Sequence, residues 1–255
     1  IKGVLIIHTE TATGITNDLP AIRSAIDSAD HPGLLIVDTV AAAGTIDYRM
    51  DEWGIDVTVG ASQKGLMMPP GIGIVAAGEK ALSATKESTM PRLYWDWKTR
   101  LEAEHYRKFC GTAPQLMVFG MREALNMLFE EGLENVFERH RVLAAATHAA
   151  VEVWGQAGTL SLNAVEPKER SNGVTTILTS DGIDAGQFRD ICRDEMMVGL
   201  GGGLGDLSGK AFRIGHMGDI NAPMLYAALS AVESTLGYLN IKYASGGVTA
   251  AIEYV

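Results

Sequence analysis

Four short, apolar, largely β-branched runs recur through the first third of the chain: Ile1–Ile7, Leu34–Val37, Ile55–Val59 and Ile72–Ala76. A strand with one face in water alternates apolar and polar residues. Runs of near-continuous Val, Ile and Leu instead mark burial on both faces. The segments between them read as helix and turn. Asn17 or Asp18 can cap a helix with Pro20 in its first turn, and His31-Pro32-Gly33 ends it. Strands alternating with helices in this way predict an α/β fold built on a mostly parallel sheet covered on both faces.

The pattern changes after Tyr94. A helical stretch opens at Ala113-Pro114 and closes at Gly132, a natural left-handed C-terminal residue. A second helix over 133–154 carries Val136, Leu143 and Val151 on one side. Strands at 174–178 and 211–214 then alternate with helices at 185–193 and 222–239, an α+β arrangement. We therefore expect a larger α/β domain over residues 1–131 and a smaller α+β domain over 132–255.

The chain has 21 Lys and Arg against 31 Asp and Glu, a net charge of −10. It lacks the basic stripe of a nucleic-acid binder, so no nucleic-acid partner is expected. No apolar run approaches the ~20 residues that span a bilayer, so no membrane partner is expected either. With two cysteines, Cys110 and Cys192, too few for a disulfide framework, the expected location is the cytoplasm. The chain opens directly in an apolar strand with no initiator Met, which reads as a large domain lacking its N-terminal segment.

Chemistry concentrates at two strand ends. Asp38 closes the second apolar run, and in open α/β sheets ligands gather at the carboxyl ends of strands. Lys64 follows the third run inside Gly60-Ala61-Ser62-Gln63-Lys64-Gly65. A lysine among small residues is suited to imine formation, because desolvation favours its neutral, nucleophilic form. Taken singly, Asp38 reads more readily as a helix cap and Lys64 as a solvated loop residue. Together they supply what pyridoxal phosphate requires: one amine for the imine, and one carboxylate to keep the pyridine nitrogen protonated.

Four motifs carry a resemblance. His8-Thr9-Glu10-Thr11-Ala12-Thr13-Gly14, Val37-Asp38-Thr39-Val40, Gly60–Gly65 and Phe212-Arg213-Ile214-Gly215-His216 stand in one order. In that order the chain resembles the class V pyridoxal-phosphate aminotransferases over essentially its whole length, most closely those that use glyoxylate with serine or alanine. The resemblance implies a fold-type-I architecture and transfer of an amino group from serine, alanine or aspartate to glyoxylate, giving glycine and an oxo acid. It makes Lys64 the imine-forming lysine and proton shuttle, and Asp38 the partner of the pyridine nitrogen. Val40 would pack on one ring face, Thr11 would lie near the phenolic oxygen, and Gln63 and Thr112 near the phosphate. Arg213 would clamp the substrate carboxylate, a task suited to its planar fork. The family's dimers would put Thr112 near a partner's cofactor. Phe109 stands where relatives carry Tyr, so a hydroxyl is lost there.

Other features attract less chemistry. Gly199–Gly205 fails the strand-then-helix context of a dinucleotide loop and reads as a flexible loop near Arg213. No His spacing suggests a metal site. Cys110 reads as a small buried residue, and Trp95 and Trp97 as packing. Two rival readings are a lyase or desulfurase of the same fold, against which Gln63 counts because such relatives carry His there, and a truncated chain without catalysis.

Overall fold

The structure, a computed structural model, describes residues 1–102 and 104–255. Strand β1 (Gly3–Ile7) leads into a two-residue hairpin of β2 (Thr9–Glu10) and β3 (Ile15–Thr16), then helix α1 (Leu19–Ser28). β4 (Leu34–Asp38), β5 (Val57–Ala61), β6 (Gly73–Ala77) and α2 (Glu79–Ala84) follow. The first sheet has the order β1-β4-β5-β6. β1, β4 and β5 are parallel, and β6 is antiparallel to β5.

Helix α1 starts where the sequence places it. The Asp18 carboxylate accepts the Ala21 N–H at 3.0 Å, and Pro20 occupies the first turn. The helix buries Leu19, with Ile22 and Ile26, against Val4, Ile6, Leu35 and Val37 on one sheet face. The opposite face departs from the expectation of two-sided cover. There Leu5 is 75% and Val75 51% exposed. The apolar runs reported strand identity correctly, but among the described residues the face opposite α1 leaves these side chains exposed.

Two short helices, α3 (Trp97–Arg100) and α4 (His105–Lys108), precede the long α5 (Gln115–Glu131) and α6 (Leu133–Gly155). Gly132 joins the long pair at φ +85°, a left-handed conformation that suits glycine. Gly120 leaves a notch in α5 for the Met68 side chain, whose Cε lies 2.9 Å from where a Cβ would project. The second sheet contains β7 (Leu160–Leu162), β8 (Val174–Thr179), β9 (Gly201–Gly202) and β10 (Ala211–Gly215), ordered β7-β8-β10-β9 and antiparallel throughout. Helices α6, α7 (Ala185–Asp194), α8 (Ala222–Tyr238) and α9 (Gly247–Tyr254) surround its core. Trp154, Phe188, Phe212, Leu225 and Leu229 are fully buried in it. Phe188 of α7 stacks on Phe212 of β10 at 4.7 Å between ring centres.

Two side-chain expectations are corrected. Cys110 is exposed, on a left-handed backbone (φ +56°), because it lies outside the packed core in the turn after α4. Trp95 is 77% exposed. It lines a cavity of about 570 Å³ with Tyr94, Trp97, Arg100, Phe109 and Thr112.

Candidate active site

Asp38 ends β4 in a row that runs across the whole first sheet, Ile7–Asp38–Val59–Val75. Its backbone and side chain are both held. The carbonyl accepts the His8 N–H at 2.8 Å, and Oδ1 accepts the Val40 N–H at 2.8 Å. The other carboxylate oxygen has no hydrogen bond among the described residues. One residue on, the Thr39 N–H and hydroxyl both donate to the Val59 carbonyl, at 2.8 and 3.0 Å. The turn after β4 is thereby stapled to the end of β5.

Lys64 lies three residues beyond β5, at the same sheet edge as Asp38. Its loop is closed at the base by buried Ser62. The Ser62 hydroxyl donates to the Pro69 carbonyl at 2.8 Å and accepts the Ile72 N–H at 3.2 Å. The Met67 N–H returns to the Lys64 carbonyl at 2.9 Å. The half-buried Lys64 amine makes no hydrogen bond or ion pair among the described residues. Sequence reasoning missed Ser62. Its signal is a small hydroxyl residue two positions before the lysine, facing Pro69-Pro70.

Arg213 comes from the second sheet, on β10 between β8 and β9. Its Nε donates to the Gly202 carbonyl at 2.7 Å and one terminal nitrogen donates to the Thr11 carbonyl at 3.0 Å. No carboxylate pairs with it among the described residues. Burial, then the nearby Arg189 guanidinium, pulls its pKa below the ordinary arginine value, and Glu10 opposes this.

Gly201-Gly202 is the edge strand β9, where the sequence suggests a loop, and Gly203 is its exit. A Cβ on Gly201 would lie 3.2 Å from the Arg213 Cβ, and one on Gly202 would lie 2.8 Å from the Arg189 guanidinium. Arg189 in turn donates to the Leu200 carbonyl at 3.0 Å. Each glycine is there because an arginine or a backbone lies where its side chain would be.

The turn at Thr11–Gly14 joins the two sheets. Four successive carbonyls each accept a hydrogen bond from the second half of the chain: Thr11 from Arg213, Ala12 from the Thr176 hydroxyl at 3.0 Å, Thr13 from the Asn163 amide at 2.8 Å, and Gly14 from the Ser171 N–H at 3.0 Å. Asn163 and Thr176 were not legible as site residues, because their partners are backbone atoms more than a hundred residues away.

The structure thus brings Asp38, Val40 and Lys64 to one sheet edge, and Thr11 to Arg213. Gln63 is exposed beside Lys64. Exposed Thr112 lies with the aromatic cavity described above, and among the described residues no hydrogen bond joins it to the other candidates. Among the described residues no group of three His, Cys, Asp or Glu side chains is placed to hold a metal ion. No described helix is long and apolar enough to cross a membrane.

A family model for class V aminotransferases matches residues 1–204. The chain belongs to the class V aminotransferase family. It is 41% identical over 261 residues to a serine–glyoxylate aminotransferase of Methylorubrum extorquens, covering 100% of this chain and 64% of that protein. It is 38% identical over 255 residues to an L-aspartate–glyoxylate aminotransferase of Paracoccus denitrificans, covering 100% of this chain and 63% of that one. The crystal structure of a pyridoxamine–pyruvate aminotransferase from Mesorhizobium loti superposes with a TM-score of 0.90 at 29% identity, over 100% of this chain and 64% of that one. The chain therefore spans less than two thirds of the length of these relatives, and within that span its α/β architecture is that of the pyridoxamine–pyruvate aminotransferase.

Proposed function

We propose that the chain carries the lysine, the ring-nitrogen carboxylate and the carboxylate-binding arginine of an enzyme that transfers an amino group from an amino acid to glyoxylate. The observation that carries the reading is a donor set in which each reactive group is left free. Among the described residues Lys64 has no partner, Asp38 keeps one carboxylate oxygen free, and Arg213 has no acidic partner. In an acidic chain, where most arginines are paired with carboxylates, an unpaired half-buried arginine is poised for an external anion.

This donor set fits pyridoxal phosphate, which when bound supplies an electron sink next to the substrate α-carbon. Lys64 would hold it through the side-chain amine and, once released, move a proton at the α-carbon. Asp38 would hold the proton on the ring nitrogen with the oxygen that Val40 leaves free. Val40 would cover one ring face, with Thr11 and Gln63 at the ring's polar substituents. Arg213 spends Nε and one terminal nitrogen on Gly202 and Thr11, which fixes the guanidinium plane and leaves its remaining edge for the substrate carboxylate.

Residues 1–131 would form the cofactor domain and 132–255 the smaller domain carrying Arg213. The assembly would be a homodimer in which Thr112 serves the partner's cofactor. The names of the relatives, serine–glyoxylate and L-aspartate–glyoxylate aminotransferase, support glyoxylate as acceptor. The test is a titration of the purified chain with pyridoxal phosphate. A visible absorbance band that forms in the wild type and is missing in Lys64→Ala supports the reading; equal bands in both would overturn it. Serine, alanine and aspartate, each with glyoxylate, then identify the donor by the oxo acid formed.

A further inference from the structure

We propose that Arg139 and His140, neighbours on α6, are positioning residues that hold the lysine loop and the arginine strand in register through the close approach of Gly218 to Met67. The proposal rests on the roles given above to Lys64 and Arg213.

Gly218 lies in the turn that leaves β10, five residues after Arg213. Both of its backbone groups are taken by α6. The His140 Nε2 accepts the Gly218 N–H at 3.0 Å, and Arg139 donates to the Gly218 carbonyl at 2.8 Å. The same Arg139 nitrogen also donates to the Ile220 carbonyl at 3.1 Å. Neither side chain is free to turn away. The other edge of the Arg139 fork rests on the Glu131 carboxylate at 2.7 and 2.8 Å, which ties it to the end of α5. The fully buried His140 ring places Nδ1 2.7 Å from the Val136 carbonyl. A carbonyl only accepts, so Nδ1 carries the proton and Nε2 is the acceptor that Gly218 requires.

What this clamp holds in place faces the lysine loop. Gly218 is buried at φ +93°, and a Cβ on it would point at Met67, 3.6 Å from Cγ. Met67 is itself left-handed, at φ +62°, with its N–H on the Lys64 carbonyl. A short path therefore runs from α6 to Gly218, to Met67 and to the backbone of Lys64, while Gly218 leads back through Gly215 to Arg213. The spacing between an amine that works at the α-carbon and a guanidinium that holds the carboxylate is the quantity a transferase must keep constant. A displacement of about 1 Å in such a pair costs on the order of a hundredfold in rate.

The test is amide hydrogen exchange on the full chain without ligands, comparing His140→Leu, His140→Gln and Arg139→Lys with wild type. His140→Leu removes the acceptor. His140→Gln keeps an acceptor near the Nε2 position. Arg139→Lys loses the fork that spans Glu131 and Gly218. The expected result is roughly tenfold faster exchange at both Gly218 and Met67 in His140→Leu and Arg139→Lys. Amides of β4 and β8 should stay at wild-type rates, and His140→Gln should restore both sites. Faster exchange at Gly218 with Met67 unchanged would overturn the proposal, as would an equal rise across β4 and β8 in both damaging variants. A second readout is the amino-acid concentration needed to change the cofactor's absorbance band. It should rise about tenfold in Arg139→Lys, with the band itself intact. The exchange experiment needs no cofactor, so failure of the chain to take up pyridoxal phosphate would sink the functional reading without touching this result.

Discussion

Gly44 and Gly65 meet backbone to backbone. A Cβ on Gly44 would lie 2.8 Å from the Gly65 carbonyl oxygen, and one on Gly65 would collide with the Ala43 carbonyl oxygen. This contact joins the loop that follows Asp38 to the loop that carries Lys64, with no side chain between them.

Gly65→Ala should therefore destabilise the fold and separate the two candidate catalytic groups. The expected cost is about 1–3 kcal/mol, the range for forcing extra atoms into a packed site. Gly44→Ala adds backbone strain to a similar clash, since Gly44 has φ +79°. Urea midpoints read the effect directly, and a shift near zero for Gly65→Ala would contradict the close packing.

Arg213→Lys should keep the fold and lose carboxylate affinity. Lysine retains the charge but cannot bond Gly202 and Thr11 while presenting a planar edge to a carboxylate. At least a tenfold rise in the half-saturating amino-acid concentration is expected, with unfolding free energy changed by about 1 kcal/mol for the lost neutral hydrogen bonds. Unchanged saturation would remove Arg213 from the site.

The glycine run should respond position by position. Gly203→Ala puts a methyl into the Leu207 carbonyl and should destabilise most. Gly201→Ala meets the Arg213 side chain at 3.2 Å, so it should weaken amino-acid binding with a small loss of stability. Equal, negligible effects on melting temperature and binding would show the run to be flexible after all.

Acid should unfold the protein earlier than its carboxylates would predict. Burial pushes His8 and His216 down to about 4, and His148 to about 3, from the ordinary 6.5. His216 is fully buried and held as the neutral ring, with Nδ1 2.8 Å from the Asn172 carbonyl and Nε2 2.8 Å from the Thr175 hydroxyl. Below 6.5 the unfolded chain binds protons that these folded sites refuse. Stability is therefore full above pH 6.5 and falls as the pH drops toward 4, by up to roughly 1.4 kcal/mol per pH unit for each such group. Urea midpoints between pH 7.5 and 4.5 measure this. His216→Asn should flatten the slope, and a profile already flat in the wild type would contradict it.

Local patterns were legible wherever the cause was local. Asp18 caps α1 as its spacing to Pro20 implied, Gly132 separates the two long helices, and the apolar runs became strands shifted by one or two residues. Harder to see were elements whose partners lie elsewhere. β9 is two glycines that become a strand only beside β10, and the β2–β3 hairpin gains its meaning from four carbonyl acceptors facing the second sheet. Residue type alone puts Trp95 in the packing, because large apolar side chains usually are buried, yet it is exposed.

The sequence by itself determined the strand-and-helix order, the family and the candidate reactive side chains, because motif residues and periodicity are written along one dimension. Tertiary structure decided which of those side chains are free and what holds them. Arg213 without an acidic partner among the described residues, Ser62 closing the lysine loop, and Arg139 and His140 gripping Gly218 all depend on hydrogen bonds across the chain. Such bonds mostly end on backbone carbonyls and amides, which every residue carries alike, so no pattern of side-chain letters announces them.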